Sequence, residues 1–296
     1  MDGINVLSLF DGMSCGRLAL ERAGIKVKQY YAAEIDKHAI QVTQHNFPDT
    51  IQLGDVTKVF AKDLPKIDLL IGGSPCQGFS FAGKQLAFDD PRSKLFFEFV
   101  RLKKECNPTY FMLENVKMKK EFEIIISKYM GVAPIEINSA LLSAQNRVRL
   151  YWTNIPGIEK PDDKKIGWGS IREYNVSDNF YYSNKALAWL KRHGERKNKK
   201  LAIWGNNDKC QMIEASHFKN YSSQRFFGIQ DEKGLRYITP IECERAQTVP
   251  DNYTNCVSNT QRYKMLGNGW TVDVIAHFFV FLKGEEKKIF KTEPKC

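Results

Sequence analysis

The strongest constraint on the fold is a regular alternation in the first half of the chain, where short apolar runs alternate with segments of helix length. Period and residue type predict strands over residues 5–10, 30–34, 51–53, 67–71, 110–113 and 149–154. Helices are predicted between them: Ser14 caps one, and another begins at Asp36 and ends before Pro48. Strands that alternate with helices are typical of a parallel sheet with crossover helices. The sequence therefore predicts an α/β fold.

A second region, from about residue 157 to residue 236, has a different hydrophobic pattern and charge. Its periodicity is weak, and residues 158–236 hold 16 Lys and Arg against 10 Asp and Glu, which gives +6 of the net charge of +10. The periodic pattern returns where Thr239 and Pro240 predict a helix start, and residues 272–282 predict an apolar helix. The sequence therefore predicts three parts. Residues 1–156 and 237–282 form a discontinuous α/β domain, residues 157–236 form a basic insert, and residues 283–296 form a tail.

The basic insert contains one dense run of charge, KRHGERKNKK, at residues 191–200. A solvated surface loop and a nucleic-acid contact are both open interpretations of this run. The net positive charge of the whole chain suits a polyanionic partner, but charge alone does not identify one.

Composition argues against several classes of protein. No apolar run approaches the ~20 residues of a bilayer span, and Asp2 and Asp11 lie where a signal peptide would carry Lys or Arg before a longer apolar core. The seven Cys include no Cys-x-x-Cys pair and leave one thiol over, which argues against a disulfide framework and a zinc ribbon. We therefore expect a reducing compartment, no membrane segment and no metal.

Polar residues follow each of the first three predicted strands. The first strand leads into the turn FDGMSCG, whose Gly12 and Gly16 do not fit the Gly-x-Gly-x-x-Gly dinucleotide pattern. Glu34 ends the second strand, where a carboxylate can bind ribose hydroxyls, and Asp55 follows the third, where it can accept from an adenine amino group. Each carboxylate alone fits a helix cap or a solvated position. Together with the turn they favour a nucleoside cofactor.

Cys76 lies in the motif GGSPCQGFS, directly after the fourth predicted strand. The Gly and Pro residues around it predict a rigid turn at the edge where open α/β sheets bind ligands. A thiolate there would be a nucleophile, provided that an Arg or a helix N-terminus activates it. Glu114, after the next strand, is a candidate proton donor, and Arg147 and Arg149 are predicted to share one strand face.

Beyond these features, the chain resembles the DNA (cytosine-5) methyltransferases through a series of motifs in one order. The motifs are FDGMSCG, Glu34, GDV, GGSPCQGFS, ENV, QNRVR, TPIECERAQTVPDNY and TQRYKMLGNGW. They cover most of residues 1–156 and 237–282, and such an ordered series is far more specific than any one motif. Several blocks look most like the catalytic domain of the vertebrate de novo methyltransferases, while a length of 296 residues fits a stand-alone bacterial or phage enzyme.

The resemblance implies the Rossmann-like fold of S-adenosylmethionine-dependent methyltransferases: a mostly parallel seven-stranded sheet with helices on both faces. Residues 157–236 would then be a small, irregular target-recognition domain. S-adenosylmethionine, converted to S-adenosylhomocysteine, is the implied cofactor, without a metal. The residues implied to bind it are Phe10, Asp11, Gly12, Met13, Ser14, Cys15, Glu34, Asp55, Val56, Asn268, Gly269 and Trp270. Trp270 departs from most bacterial members, which have a small residue and Val after the late Gly-Asn.

The resemblance also implies a covalent mechanism on a cytosine flipped out of duplex DNA. Cys76 would attack C6 and thereby make C5 nucleophilic enough to accept a methyl group. Glu114 would bind the N3/N4 edge and supply a proton, and Arg149 with Arg147 would hold the O2 side of the base and stabilise the thiolate. The residues expected at the DNA are Gln77, Ser80, Ser222, Ser223, Gln224 and Arg225.

Two other functions stay open. A tRNA methyltransferase of the same family would share the chemistry, although those enzymes usually carry a Cys-Phe-Thr tripeptide that this chain lacks. A non-catalytic nucleic-acid-binding relic is disfavoured because Cys76, Glu114 and both arginines are present. For the favoured function we expect a monomer that acts on duplex DNA in the bacterial cytoplasm or a phage-infected host, alone or beside a restriction endonuclease for the same site.

Overall fold

The computed structural model describes residues 3–75, 94–198, 200–219 and 227–283. Its strands, β1 to β10 in chain order, are Ile4–Leu9, Val27–Ala33, Ile51–Gln52, Leu69–Gly72, Tyr110–Val116, Ile135–Asn138, Val148–Thr153, Ala202–Ile203, Phe227–Gln230 and Leu235–Arg236. Its α-helices, α1 to α8, are Cys15–Arg22, Lys37–Asn46, Lys94–Cys106, Lys120–Met130, Asn184–Lys197, Pro240–Ala246, Asn259–Asn268 and Val272–Val280.

Seven of the strands form one sheet in the order β3-β2-β1-β4-β5-β7-β6. β1 is parallel to β2 and to β4, and β4 is parallel to β5, whereas β7 is antiparallel to both of its neighbours. The chain moves outward from β1 to β3 and then returns to the other side of β1 with β4. Open α/β sheets bind ligands at such a reversal, beyond the carboxyl ends of the strands. The predicted α/β fold with a mostly parallel seven-stranded sheet is confirmed.

The central strands are buried. Leu7 and Leu9 of β1 and Leu70 of β4 are fully buried, and Phe99 of α3 packs in the same core. A parallel strand that is covered on both faces appears in sequence as a continuous apolar run, which is why these strands were predictable. Gly72, at the end of β4, has no room for a side chain, because a Cβ there would lie 2.9 Å from the Leu9 carbonyl oxygen.

Two predicted helix starts have different outcomes. Asp36 caps α2 as predicted, because its carboxylate accepts a hydrogen bond of 3.0 Å from the His38 backbone N–H. Ser14 precedes α1 but does not cap it, and its backbone is left-handed with φ of 59°. Its hydroxyl bonds to the Asp11 carboxylate and to Thr43 instead. A capping hydroxyl accepts from a backbone N–H of the first helical turn and normally sits on extended backbone, which the left-handed Ser14 does not have, so the prediction of a Ser14 cap is wrong.

The antiparallel part of the sheet also differs in detail from the predicted strand bounds. β5 continues to Val116, so Glu114 lies within the strand rather than after it. β7 begins at Val148, so Arg149 lies in the strand and Arg147 precedes it. The predicted common strand face for the two arginines is therefore wrong.

The chain forms two compact units. The first contains the seven-stranded sheet and comprises Met1–Asn138, Val148–Pro161 and Val272–Cys296. The second contains α5, α6, α7 and a three-stranded sheet of order β10-β9-β8, and it comprises Ser139–Arg147 and Asp162–Thr271.

These units do not coincide with the predicted domains, because residues 139–147 and 237–271 both fall in the second unit. A physical reason lies in the hydrogen bonds that join these two segments: the Ser143 hydroxyl and the Gln145 amide both donate to the Ala246 carbonyl. The functional extent of the catalytic domain stays a prediction.

Helix capping defines two elements of the second unit. α6 begins as predicted, with a capping box in which the Thr239 side chain and the Glu242 side chain each accept from the other residue's backbone N–H. The charge run at residues 191–200 lies largely in α5, which begins after Ser183 and ends at Asn198, a residue of left-handed φ. The loop interpretation is therefore wrong for most of that run.

Within the described ranges, none of the helices has both the length and the apolar character that a bilayer crossing requires.

Candidate active site

The turn after β1 has an unusual backbone. Phe10, Gly12 and Ser14 have positive φ values of 56°, 60° and 59°. A Cβ built at Gly12 would meet no atom within 4 Å, so the turn is open on that side. Phe10 is partly buried against the core, whereas Met13 and Cys15 are almost fully buried at 1% and 3% exposure. Only part of the predicted cofactor set in this turn therefore offers its side chain to solvent.

Asp11 is held by hydroxyl groups. Its carboxylate accepts from the Ser14 hydroxyl and, at 2.7 Å, from the Tyr30 hydroxyl. Burial raises the pKa of Asp11 to about 6, and the nearby Glu34 carboxylate adds to the rise, while the hydrogen bonds from Ser14, Ser8 and Tyr30 oppose it. Asp11 is thus a structural element of the turn that titrates close to neutral pH.

Glu34 follows β2 and is fixed by backbone donors. One carboxylate oxygen accepts from the N–H groups of Ile35 and Asp36, each at 2.8 Å, and the other accepts from Gly12 at 2.8 Å. A carboxylate has about four acceptor positions, so capacity remains for a ligand hydroxyl. Ile35 is 77% exposed beside it, a feature that the sequence analysis missed. An Ile between two acidic residues at a strand end was the available signal.

Asp55 caps the short 3-10 helix Val56–Lys58. Its Oδ1 accepts from the Thr57 backbone at 3.0 Å and from the Thr57 hydroxyl at 2.8 Å, and these bonds lower its pKa. Among the described residues nothing donates to Oδ2. The neighbouring Gly54 also faces open space. Val56, by contrast, is 5% exposed and belongs to the core, so its side chain contributes packing at this position.

Glu114 and Arg149 meet across two strands of the first unit. The Arg149 Nε lies 2.9 Å from Glu114 Oε1, and each side chain is 10% exposed. The antiparallel register aligns Glu114 with Tyr151 and Val116 with Arg149, so the pair is diagonal on one face of the sheet. The structure therefore brings together two of the four residues predicted to be catalytic.

Asn115 holds the segment that leads to Cys76. Its amide donates to the backbone oxygen and to the hydroxyl of Ser74, at 3.3 and 3.2 Å, and both residues are buried. This bond ties β5 to the turn two residues before the cysteine. Sequence reasoning quoted the ENV motif without giving Asn115 a role. Cys76 itself lies outside the described residues, together with the predicted DNA contacts Gln77, Ser80, Ser222, Ser223, Gln224 and Arg225.

Arg147 belongs to the second unit and is 4% exposed. Its guanidinium donates to the carbonyls of Ile213 at 3.1 Å, Gly267 at 3.2 Å and Gly269 at 2.9 Å. Gln247 donates to the same Gly269 carbonyl at 3.2 Å. These contacts position the end of α7, where the predicted cofactor residues Asn268, Gly269 and Trp270 lie. Asn268 is exposed, and the other two are partly buried.

The other cysteines behave as apolar residues where the structure describes them. Among the described residues, none of the cysteines is in a disulfide: Cys15, Cys106, Cys210, Cys243 and Cys256. Burial raises the thiol pKa of Cys106, Cys210, Cys243 and Cys256, which keeps them un-ionised at neutral pH. Within the described ranges no group of three or more His, Cys, Asp and Glu side chains is arranged to hold a metal ion.

Solved structures share this architecture. The Entamoeba histolytica methyltransferase EhMeth superposes with a TM-score of 0.77 at 19% identity, over 96% of this chain and 98% of that one. The Dnmt2 methyltransferase of S. pombe gives a TM-score of 0.74 at 19% identity, over 95% and 99%. At this identity the likeness shows the fold, which is the Rossmann-like fold of S-adenosylmethionine-dependent methyltransferases.

Sequence relatives define the family within that class. The family model for C-5 cytosine-specific DNA methylases matches residues 4–130 and 136–282. The chain therefore belongs to the C-5 cytosine-specific DNA methylase family, and the predicted enzyme class, a DNA cytosine-5 methyltransferase, is confirmed.

Individual relatives agree with this assignment. The Type II methyltransferase M1.ScrFI of Lactococcus lactis subsp. cremoris is 35% identical over 301 residues, which cover 91% of this chain and 75% of the relative. The Type II methyltransferase M.NlaX of Neisseria lactamica is 30% identical over 294 residues, which cover 91% of this chain and 93% of the relative. The orphan methyltransferase M.Rho11sI of Bacillus phage rho11s is 44% identical over 84% of this chain and 50% of its own length.

Proposed function

We propose that the protein methylates C5 of a cytosine that is flipped out of duplex DNA, with S-adenosylmethionine as the methyl donor. The observation that carries the proposal is the buried Glu114–Arg149 pair, which lies on β5 and β7 beside the Asn115 bond that fixes the approach to Cys76. Family membership supplies the reaction class, and the contacts of the first unit supply roles for individual residues.

The first unit fits a nucleoside cofactor. At the turns after β1 and β3, Gly12 and Gly54 face open space. Glu34 has acceptor capacity for ribose hydroxyls, and Asp55 Oδ2 is available for an exocyclic amino group. Ile35 offers an apolar surface at the same sheet edge. Bound there, S-adenosylmethionine would supply an electrophilic methyl group.

Cys76 acts as the nucleophile in this proposal. Its thiolate adds to C6 of the base, and the electron pair of the C5–C6 double bond moves toward N3. Asn115 acts as a positioning residue, because its bonds to Ser74 fix the backbone two residues before the thiol. After C5 has accepted the methyl group, water takes the C5 proton, the Cys76 thiolate departs, and the N3 proton returns to the Glu114 carboxylate, which restores the neutral aromatic ring.

Glu114 supplies the proton that N3 takes up when Cys76 adds, and it holds the N3/N4 edge of the base. Arg149 orients that carboxyl group through the contact of 2.9 Å and presents its remaining donors to the O2 side of the base. We propose a different contribution for Arg147, which holds the carbonyls of Gly267 and Gly269 and so orders the segment before Trp270. Its predicted contact with the base stays a prediction.

Duplex DNA is favoured over tRNA as the substrate. The relatives named above are Type II methyltransferases and an orphan phage methyltransferase, within a family described as DNA methylases. A partner restriction endonuclease and a monomeric state belong to the same proposal. Base readout is proposed for residues 222–225.

A methyl-transfer assay with labelled S-adenosylmethionine tests the proposal on duplex DNA and on tRNA in parallel. We expect label on the duplex and none on tRNA, and bisulfite sequencing of the product would give the target sequence. Cys76→Ser should abolish transfer, with Cys106→Ser as the matched control that retains it. Label on tRNA alone, or transfer that survives Cys76→Ser, contradicts the proposal.

A further inference from the structure

The positive charge of the insert is concentrated in one short segment. Within residues 158–236, the 17 residues 184–200 contain seven Lys and Arg against one acidic residue, Glu195, a net charge of +6. The other 62 residues contain nine basic and nine acidic residues. The whole net charge of the insert therefore lies on α5 and the residues just after it.

One face of α5 is anchored and the rest is open to solvent. Ala186, Leu190 and His193 are buried, and the first two pack in a small apolar cluster with Tyr182. Trp189 stacks on His193 with ring centroids 4.7 Å apart. The anchored face fixes the direction in which the remaining side chains of the helix project.

The five cations of α5 are all exposed: Lys185, Lys191, Arg192, Arg196 and Lys197. At about 100° per residue, Lys185, Arg192 and Arg196 fall within roughly 40° of one another around the helix axis, on a flank beside the buried face. We name these three residues the α5 stripe. Lys185 and Arg196 are 11 positions apart, or about 16 Å along the axis.

Several basic residues elsewhere in the second unit are paired with carboxylates. Arg172 and Arg236 contact Asp231, Lys209 contacts Asp163, and Lys233 contacts Asp178. Among the described residues, by contrast, no carboxylate forms an ion pair with any of the five α5 cations. Their charge is therefore not neutralised within the part of the molecule that the structure describes.

Local helix stability does not account for the α5 stripe. Arg196 lies in the last turn, where a cation suits the helix dipole, but Lys185 lies in the first turn, where a cation opposes it. Arg192 and Arg196 are four residues apart and repel each other on the helix surface. An external anion along this flank would relieve both effects.

We infer that the α5 stripe binds the phosphate backbone of duplex DNA, separately from the residues that read bases; the inference rests on the proposed DNA substrate. Duplex DNA presents one phosphate per strand every ~3.4 Å along its axis, so several phosphates lie within the length of the stripe. Lys and Arg contacts to phosphate strengthen binding without choosing a sequence. The stripe therefore contributes salt-dependent affinity and no specificity.

Binding of the full chain to a short duplex, followed by fluorescence anisotropy between about 0.05 and 0.3 M salt, tests the inference. The variant is Lys185→Gln/Arg192→Gln/Arg196→Gln, since Gln is a good helix former. The matched control, Lys26→Gln/Lys28→Gln/Lys104→Gln, removes the same charge from exposed positions of the first unit. Circular dichroism and thermal unfolding of both variants confirm that they are folded.

We expect the stripe variant to lower the slope of log K against log[salt] by about 3, at about 0.9 per phosphate contact, and to weaken binding at least tenfold near 0.15 M salt. The binding affinity and slope of the control should stay near those of wild type, and the methylated sequence should not change.

An unchanged slope in the stripe variant overturns the inference. An equal loss of affinity in the control overturns it too, as does a loss seen on tRNA but not on the duplex. If wild type methylates DNA while the stripe variant keeps its slope, this inference alone fails; if wild type does not methylate DNA, the proposed function fails.

Discussion

The two units satisfy the carboxylates of their partly and fully buried acidic residues in different ways. In the second unit, Glu242 and Arg236 are both completely buried and joined by two hydrogen bonds of 2.7 and 2.9 Å, and Arg262 similarly holds Glu244. In the first unit, Asp11 is held by hydroxyl groups and Glu34 by backbone N–H groups. The backbone N–H groups of Glu173 and Thr239 complete the donors to Glu242, and those of Asn252 and Thr254 do so for Glu244. Carboxylates whose oxygens are occupied in this way stabilise the fold, whereas Glu34, with three donors, keeps capacity for a ligand.

Glu114 lies between these two cases. It has a guanidinium partner in Arg149, as the structural glutamates do, but both side chains retain 10% exposure. The comparison therefore predicts that replacement of Glu114 affects chemistry, while replacement of Arg236 affects stability.

Glu114→Gln should reduce the rate of methyl transfer by about 10²- to 10⁴-fold, because an amide cannot supply the proton that N3 requires. The unfolding midpoint should stay near that of wild type, since Gln keeps an acceptor for Arg149. Single-turnover rates and urea unfolding measure the two effects. Glu136→Gln, on an exposed residue paired with Lys117, is the control and should keep full activity. A large loss of stability with a normal rate per folded molecule would place Glu114 with the structural glutamates.

Arg236→Met should lower the free energy of unfolding by about 3–5 kcal/mol, because it leaves the Glu242 carboxylate buried without its partner. The matched control is Lys233→Met, which breaks an exposed pair with Asp178 and should cost less than about 1 kcal/mol. Urea unfolding measures both. A drop in methylation at unchanged stability would show that the Arg236–Glu242 pair has a catalytic role, and the division between catalytic and structural glutamates would fail.

Gly267→Ala tests how tightly the second unit is packed at the end of α7. A Cβ at this position would lie 2.0 Å from the Ala215 backbone nitrogen and 2.1 Å from the Glu214 carbonyl carbon. Backbone atoms cannot rotate away, so we expect a loss of about 3 kcal/mol in unfolding free energy. Gly72→Ala in the first unit is the comparison, since its nearest contact is 2.9 Å, and it should cost less. Equal losses of unfolding free energy in the two variants would indicate that both units accommodate an added methyl group equally well.

Local sequence pattern predicted the elements of the first unit well, because apolar runs and caps such as Asp36 act within a few residues. Strand ends then located Glu34 and Asp55 after β2 and β3, whereas Glu114 lies inside β5. Arg147 could not be placed in this way, because its acceptors, the carbonyls of Ile213, Gly267 and Gly269, lie 66 to 122 residues away in the sequence. Its spacing of two from Arg149 suggested a shared strand face, and tertiary contacts overrode that pattern.

The bounds of the second unit were unpredictable for the same reason. Gln145 and Ala246 are 101 residues apart and meet only through the fold. The helical character of the charged run in α5 was masked by its composition, since its buried residues Ala186, Leu190 and His193 are few among many charges. A periodic apolar face of three residues is a weak signal, although Ser183 before it is a normal helix cap.

Asp11→Asn is expected to give the smallest effect, and it tests the first unit's use of neutral donors. Burial raises the pKa of Asp11 to about 6 in the folded state, above its ordinary value of 3.8. The folded state therefore binds the Asp11 proton more tightly than the unfolded state does. The stability that protonated Asp11 contributes is fully present below pH 3.8 and is lost as pH rises through about 6. Between pH 4.5 and 7.5, wild type should lose about 2 kcal/mol of unfolding free energy relative to Asp11→Asn.

Asp55→Asn provides a control of opposite sign, because the bonds from Thr57 lower the pKa of Asp55. The stability that Asp55 contributes is present above its unfolded pKa and lost as pH falls through the lower folded value. Urea unfolding at both pH values should therefore show wild type and Asp55→Asn changing in parallel, since neither pKa of Asp55 lies between 4.5 and 7.5. If Asp11→Asn also runs parallel to wild type, Asp11 is ionised throughout this range. Hydroxyl donors would then stabilise the Asp11 carboxylate to the same degree as guanidinium groups stabilise the glutamates of the second unit. The contrast between the units would rest on Glu34 alone.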